Sequence, residues 1–287
     1  MTELQLLHET VQTLVRFALA EDIGSGDITT SLLIPPDLHG AARVIAKEPL
    51  ITAGYLPFQK VFEAISHDIV CSFLISEGAW ANTGDVIAEL SGPYGALLTG
   101  ERTALNFLQH LSGIATLTRT YIERLKPYRT VLLDTRKTIP GWRILAKEAV
   151  RLGGGTNHRM GLYDAILIKE NHIAACGSIK KAVEKARRCC KNLKIEVEVR
   201  TRDELLEALQ CCPDMIMLDN MNLDDIRYAV AESGGRIPLE ASGNVTLDNI
   251  HKIAATGVQY ISVGALTHSS RSADISMLIE PMRRVTS

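Results

Sequence analysis

The chain has 287 residues, of which 46% are hydrophobic and 22% charged, and its formal net charge is -2. That length suits one or two domains and can bury about three quarters of the unfolded surface, and the composition is that of an ordinary globular protein. A balance so near neutrality offers no global field for nucleic acid or a membrane surface, so any cationic chemistry has to be local.

The opening MTELQLLHETVQTL has the pattern of an amphipathic helix rather than a charged stub followed by an apolar, cleavable core. No apolar run reaches the roughly 18 residues that a membrane span needs. Cys71, Cys176, Cys189, Cys190, Cys211 and Cys212 include two adjacent pairs but no C-x-x-C. That usage argues against structural zinc and against a disulfide scaffold, and points to a reducing, cytoplasmic setting.

His39 to Leu50 and Ile69 to Leu90 read as strands with turn signals at Gly78, at Asn82 to Gly84 and at Gly92 to Pro93. They flank the helix-like LPFQKVFEAI, which together suggests an α+β sandwich. EGAWANTGDVIAEL is similar to the hammerhead of lipoyl-type modules but lacks a lysine at the hairpin tip, so it reads as a structural turn. Leu97 to Thr118 then reads as a long helix, with Leu97, Leu98, Ala104, Leu105, Leu108 and Leu111 at near-helical spacing.

The second half has a different rhythm. TVLLD, AILIK, KIEVEV, DMIMLD, IPLEAS and YISVG end near Asp134, Lys169, Glu198, Asp219, Glu240 and Val263. Helix-like segments such as Ser178 to Lys191 and Arg202 to Gln210 separate them, as consecutive βα units of a parallel sheet require. Six strands are fewer than the eight of a closed barrel, so the expectation is an α/β fold with an open or incomplete (β/α) barrel. Almost every run finishes on a polar residue, and in such folds the strand ends share one mouth.

The run from Val131 to Asn171 places Arg136, Lys137, His158, Arg159 and Lys169 at two strand ends and around the Gly153-Gly154-Gly155 loop. Two like charges about 4 Å apart in a partly screened site repel by roughly 4 kcal/mol, so the cluster calls for a polyanionic ligand. An arginine fork grips a carboxylate or phosphate bidentately, and a lysine adds a mobile point charge. Lys169, closing a buried strand, has three readings: anion binding, a Schiff base with a carbonyl substrate, or a salt bridge to Glu198 or Asp219.

Glu198 and Asp219 can hold sugar hydroxyls, stabilise a developing carbocation or hold magnesium through water. Glu240 to Val245 and Ser262 to Ala265 match the phosphate site that barrels build from small residues at the last strand ends. Asn171 and His172 read as loop-orienting, His172 as structural. KKAVEKARRCCKNLK reads as a solvated outer helix, because its cations surround Ala182, Val183 and Ala186 at helical spacing.

DTRKT-x-PG-x-R, GGG-x-NHR-x-GL-x-D and LIK-x-NH, together with EDIGSGDITT, GERTALNFLQHLSGIAT, EVEV, MLDN, EASGNV and ISVGALTHS, resemble in order the quinolinate phosphoribosyltransferase family. The resemblance implies a pentosyltransferase that joins the phosphoribosyl group of phosphoribosyl pyrophosphate to quinolinate and releases CO2 and pyrophosphate. The product would be nicotinate mononucleotide, for NAD biosynthesis, with Mg2+ accompanying phosphoribosyl pyrophosphate and no organic cofactor.

By motif, Arg136, His158, Arg159 and Lys169 would hold the quinolinate carboxylates, and Arg102 would reach in from the other subunit of a homodimer or higher homo-oligomer. Lys137, next to Thr135 and Arg136, would serve the pyrophosphate side. Glu198 and Asp219 would meet ribose hydroxyls and water-linked Mg2+, and Ser242, Gly243, Asn244, Val263, Gly264 and Ala265 would cradle the 5′-phosphate.

The implied architecture is an N-terminal sandwich domain over 1–112 and a catalytic barrel over 113–270. A C-terminal helix near Ala273 to Arg284, within 271–287, would pack back on the first domain. Ile139 and Trp142 stand where the family usually has threonine and leucine, which bears on loop packing and not on charge placement. The alternatives are a related phosphoribosyltransferase-like protein linked to molybdenum uptake, a Schiff-base aldolase using Lys169, and a non-catalytic sensor of acidic metabolites.

Overall fold

A computed structural model describes residues 3–282. In chain order its elements are α1 (Glu3–Ile23), α2 (Ile28–Leu33), β1 (His39–Ala46), β2 (Leu50–Ile51), α3 (Tyr55–Ile65), β3 (Val70–Phe73), β4 (Trp80–Ala81), β5 (Val86–Pro93) and α4 (Tyr94–Leu125). There follow β6 (Val131–Leu133), α5 (Arg143–Leu152), β7 (Ile166–Ile168), α6 (Glu170–Cys176), α7 (Ile179–Cys189), β8 (Ile195–Val199), α8 (Arg202–Cys211) and β9 (Met215–Asp219). The last are α9 (Leu223–Ser233), β10 (Leu239–Ser242), α10 (Ile250–Ala254), β11 (Tyr260–Ser262), α11 (Ala265–His268) and β12 (Ile275–Pro281).

The first compact unit takes in Met1–Leu117, Ile139–Gly153 and Ser270–Ser287. Its main sheet is antiparallel, in the order β12-β1-β5-β3. β1 alternates as a half-buried strand must: Ala42, Val44 and Ala46 are buried and the residues between them are not. α3 buries Tyr55, Phe58, Val61 and Phe62, with Phe73 of β3 stacked on Tyr55 and edge-on to Phe58. Glu77 replaces a capping side chain there, its carboxylate accepting the N–H groups of Gly54 and Tyr55 at 2.7 and 2.8 Å.

One expectation is corrected in this unit. The C-terminal segment is not a helix over Ala273 to Arg284 but strand β12, paired antiparallel with β1 from Gly40 opposite Pro281 to Ala46 opposite Ile275. Ile275 and Met277 turn inward at a spacing of two, and the pairing satisfies a backbone edge of β1 that a helix would leave open. Arg283 and Arg284 lie outside the described residues. By compactness, Ile139–Gly153 clusters with the first unit. α5 buries Ile144, Leu145, Ala149 and Val150, and Trp142 stacks on Phe107 of α4 with ring centroids 4.9 Å apart.

The second unit, Thr118–Thr138 and Gly154–Ser269, holds a six-stranded sheet in the order β6-β11-β10-β9-β8-β7. Every pair in it is parallel. β8 is buried along its whole length, as a strand covered on both faces should be. Ser178, Thr201 and Asn222 cap the helices α7, α8 and α9 that return the chain. A single parallel bridge from Leu133 to Thr156 extends the β6 edge, and the described residues show no ladder from there to β7, so the barrel is open. α7 buries Ile179, Ala182 and Val183 and leaves its cations outward. All six cysteines are free thiols, and no helix among the described residues is long and apolar enough to cross a membrane.

Candidate active site

Parallel register brings the strand ends level: Asp219 is opposite Ser242, and Ser242 is opposite Ser262. Above them lies a cavity of about 600 Å³, wholly within the second unit. Its walls include Thr135, Arg136 and Lys137 after β6, His158 and Arg159 after the glycine loop, Lys169 after β7, Glu198 on β8 and Asp219 on β9. Ser242, Gly243 and Asn244 line it at the end of β10, and Val263, Gly264 and Ala265 after β11. Of the residues to which the sequence assigned a substrate role, Arg102 alone is not in this wall: its guanidinium, on α4 of the first unit, is 63% exposed and lies 4.0 Å from Glu101.

The cations crowd one side. Burial and then the neighbouring Arg136 charge draw the Arg159 pKa down, the signature of two guanidinium groups sharing a site that an anion would relieve. Arg159 is aimed by a 3.2 Å bond from Nη1 to the Ala165 carbonyl. Lys169 Nζ meets Glu198 Oε2 at 2.6 Å, and its own backbone N–H donates to His172 Nδ1 at 3.0 Å, which makes His172 part of the cap of α6.

Arg200, absent from the sequence-derived set, binds the acidic side: Nε lies 3.2 Å from Asp219, and Nη2 lies 3.6 Å from Glu198 and 3.0 Å from Glu170. It follows the last residue of β8, where nothing but its position one step past a strand end would have marked it.

His158 is seated in the cavity floor. Its backbone N–H donates to Asp134 Oδ1 at 2.8 Å, and its Nε2 lies 2.9 Å from Glu196 and 3.4 Å from Glu240. Burial lowers the imidazole pKa and the two carboxylates raise it, the carboxylates prevailing. Burial also lifts the Glu196 carboxyl above its usual range, against the pull of His158 and with the push of Glu240.

These three side chains bring ligand atoms within 4.8 Å of one another, close enough for a metal. Nε2, however, faces both carboxylates and carries the proton that they hold on the ring, and a protonated nitrogen is no ligand; Nδ1 lies 2.8 Å from the Arg159 backbone N–H. Glu196 was missed by sequence reading, although two glutamates spaced by two in IEVEV, a strand buried on both faces, had to share one side of the sheet.

The far side is built from small residues. The Ser262 hydroxyl donates to that of Ser242 at 3.0 Å, and Thr267 Oγ1 donates to the Lys137 carbonyl at 2.7 Å, tying the cationic loop to the chain after β11. A Cβ on Gly264 would lie 3.0 Å from the Lys137 side chain, so the glycine leaves room for the lysine to fold across.

The model of the quinolinate phosphoribosyl transferase C-terminal domain matches residues 114–278, and that of its N-terminal domain matches residues 27–112. A probable nicotinate-nucleotide pyrophosphorylase (carboxylating) from Bacillus subtilis is 44% identical over 271 residues, spanning 94% of this chain and 93% of that protein. A chloroplastic nicotinate-nucleotide pyrophosphorylase (carboxylating) from Arabidopsis thaliana is 40% identical, spanning 94% of this chain and 83% of that protein. The solved nicotinate-nucleotide pyrophosphorylase of Francisella tularensis superposes with a TM-score of 0.91 at 44% identity, covering 95% of this chain and 97% of that one. With both domain models matched in order across most of its length, this chain belongs to the quinolinate phosphoribosyltransferase family.

Proposed function

We infer that this protein transfers the phosphoribosyl group of phosphoribosyl pyrophosphate to the ring nitrogen of quinolinate, with loss of pyrophosphate and CO2, giving nicotinate mononucleotide for NAD synthesis. The observation that carries the reading is one cavity with a cationic wall of Arg136, Arg159 and Lys169, two carboxylates at Glu198 and Asp219, and a small-residue wall over 242–244 and 263–265. Each wall suits one part of the substrate pair.

The guanidinium forks of Arg136 and Arg159 hold the two quinolinate carboxylates, helped by Lys169. His158 acts mainly by fixing the Arg159 backbone, since its own Nε2 is taken by Glu196 and Glu240. Ser242, Gly243, Asn244, Val263, Gly264 and Ala265 take the 5′-phosphate, and Thr135 and Lys137 face the pyrophosphate. As the sugar C1–O bond breaks and the C1–N bond forms, positive charge grows at C1, and Glu198 and Asp219 are placed to stabilise it. The cationic pyridinium then holds the electron pair left when the 2-carboxylate departs as CO2, until that carbon takes a proton.

Mg2+ bound with the pyrophosphate would neutralise the leaving charge. Glu198 and Asp219 fit such an ion through water rather than directly, because their oxygens already meet Lys169 at 2.6 Å, Arg200 at 3.2 and 3.6 Å and Asn220 at 3.0 Å. We further propose a cytoplasmic homodimer in which Arg102, exposed on α4, completes a partner's quinolinate pocket. Incubation with quinolinate, phosphoribosyl pyrophosphate and Mg2+ should release pyrophosphate and CO2 in equal amounts; an inert protein would reject the activity. Gel filtration with light scattering, and complementation between an Arg102→Ala chain and a Lys169→Ala chain, test the shared site.

A further inference from the structure

One amide joins the turn after β9 to the turn after β10. Asn220 leaves β9 in the left-handed region at φ 56, and Asn244 adopts the same conformation at φ 52. Among the described residues, Cys212 is the one other non-glycine residue with positive φ, so two of three such positions follow the neighbouring strands β9 and β10.

Asn220 Nδ2 donates to Asp219 Oδ1 at 3.0 Å, Asn220 Oδ1 accepts from Asn244 Nδ2 at 3.0 Å, and the Asn220 backbone N–H donates to the Ser242 carbonyl at 2.8 Å. The direction of the amide is determined by its neighbours. Turned over, it would set oxygen against a carboxylate and NH2 against NH2. Gly243 makes the crossing possible: a Cβ there would lie 2.2 Å from Asn220 Oδ1, on a backbone at φ +96.

We infer that Asn220 is a positioning residue for the phosphoribosyl half of the substrate pair, its amide locking the Asp219 carboxylate to loop 242–244 so that the groups meeting ribose and 5′-phosphate are set as one unit. The assignment rests on the reading above for which substrate meets which wall. The cations assigned to quinolinate follow β6, β7 and the glycine loop, and Lys169 among them reaches Asp219 only through Glu198 and Arg200.

The test uses Asn220→Gly, which keeps the positive φ and removes both amide bonds, where alanine would add backbone strain. Thermal unfolding checks that the variant is folded, and steady-state kinetics then separate the two substrates. The loss of one charge-assisted bond should raise KM for phosphoribosyl pyrophosphate and Kd for ribose 5-phosphate about tenfold, with KM for quinolinate within about twofold. A merely structural role would move both KM values together or neither, and either result overturns the proposal.

Calorimetry with ribose 5-phosphate reads the same contacts without turnover. If the wild-type protein is inert yet Asn220→Gly still weakens ribose 5-phosphate, the activity is wrong and the link stands. If the wild-type protein does not bind ribose 5-phosphate, or binds it no better than the variant, the link falls.

Discussion

Lys169 Nζ and Glu198 Oε2 stand 2.6 Å apart, the lysine side chain 45% exposed and the glutamate side chain 5% exposed. The buried partner is the one whose charge most needs company, and it has two cations, Lys169 and Arg200. The lysine nitrogen is held in that contact rather than turned to a carbonyl substrate, and borohydride treatment with keto acids should leave the protein mass unchanged. A covalent adduct on Lys169 would return the aldolase chemistry to consideration.

Glu198→Gln keeps the shape and hydrogen-bonding reach but removes the charge facing the sugar carbon. Because that carbon is positive mainly in the transition state, kcat should fall about a hundredfold while both KM values change by no more than about threefold. Steady-state pyrophosphate release measures both. An equal loss in binding and turnover would assign Glu198 to ground-state contacts.

Arg136→Ala removes one of two crowded guanidinium groups. Quinolinate affinity measured by calorimetry should drop about a hundredfold, the equivalent of a lost bidentate, charge-assisted contact. The free protein should not lose stability in proportion, since Arg159 is relieved of a like charge. Unchanged quinolinate affinity would remove Arg136 from the pocket's function.

What could be read from the sequence was what repeats locally. IEVEV, MIMLD and the other apolar runs announced the parallel strands, and their polar last residues announced the cavity. The long-range partners were not legible. ISMLI pairs with a strand more than 200 residues earlier, which no local pattern encodes, and the helix expected there came from the family resemblance and not from the residues. Within the site, Arg136 and Lys169 were marked by charge at a strand end. Glu196, Arg200 and Asn220 act by what they touch on neighbouring strands, and those contacts exist only once the register is set.

Glu48 takes a 2.6 Å bond from Arg271 Nη2 and a 3.1 Å bond from the Asp274 backbone N–H, and so pins the chain entering β12. The Arg271 bond, opposed by burial and aided by the Asp274 N–H, holds its carboxyl below the ordinary 4.5. A lowered folded-state pKa means that the contribution is present above the unfolded value and is lost as pH falls through the folded one. Glu48→Gln should therefore be less stable at pH 7 by about 1 kcal/mol or less, as fits a partly solvated pair, and the gap should close below about pH 4. Trp80 and Trp142, the two tryptophans of the chain, both lie in the first unit, so urea unfolding followed by their fluorescence reports on it. A gap that persists at low pH would deny the ion pair its role.

Gly113 of α4 is a glycine inside a helix, where alanine would ordinarily stabilise by about 1 kcal/mol. Here a Cβ would lie 2.0 Å from the Arg271 carbonyl oxygen and 3.2 Å from Ser272 Cα, both of them backbone atoms that no rotamer change can move aside. Just after this contact the same segment is clamped to Gln109 of the helix, by Ala273 N–H to the Gln109 carbonyl at 2.9 Å and Gln109 Nε2 to the Ile275 carbonyl at 2.7 Å. Making room for the methyl would break that clamp just where the chain enters β12, so Gly113→Ala should lose about 3 kcal/mol net, overpacking outweighing helix propensity. Urea unfolding read by tryptophan fluorescence should show an earlier midpoint for the first unit. A midpoint unchanged or later would mean that the chain before β12 can lift from α4 freely, and that β12 is held by its pairing with β1 alone.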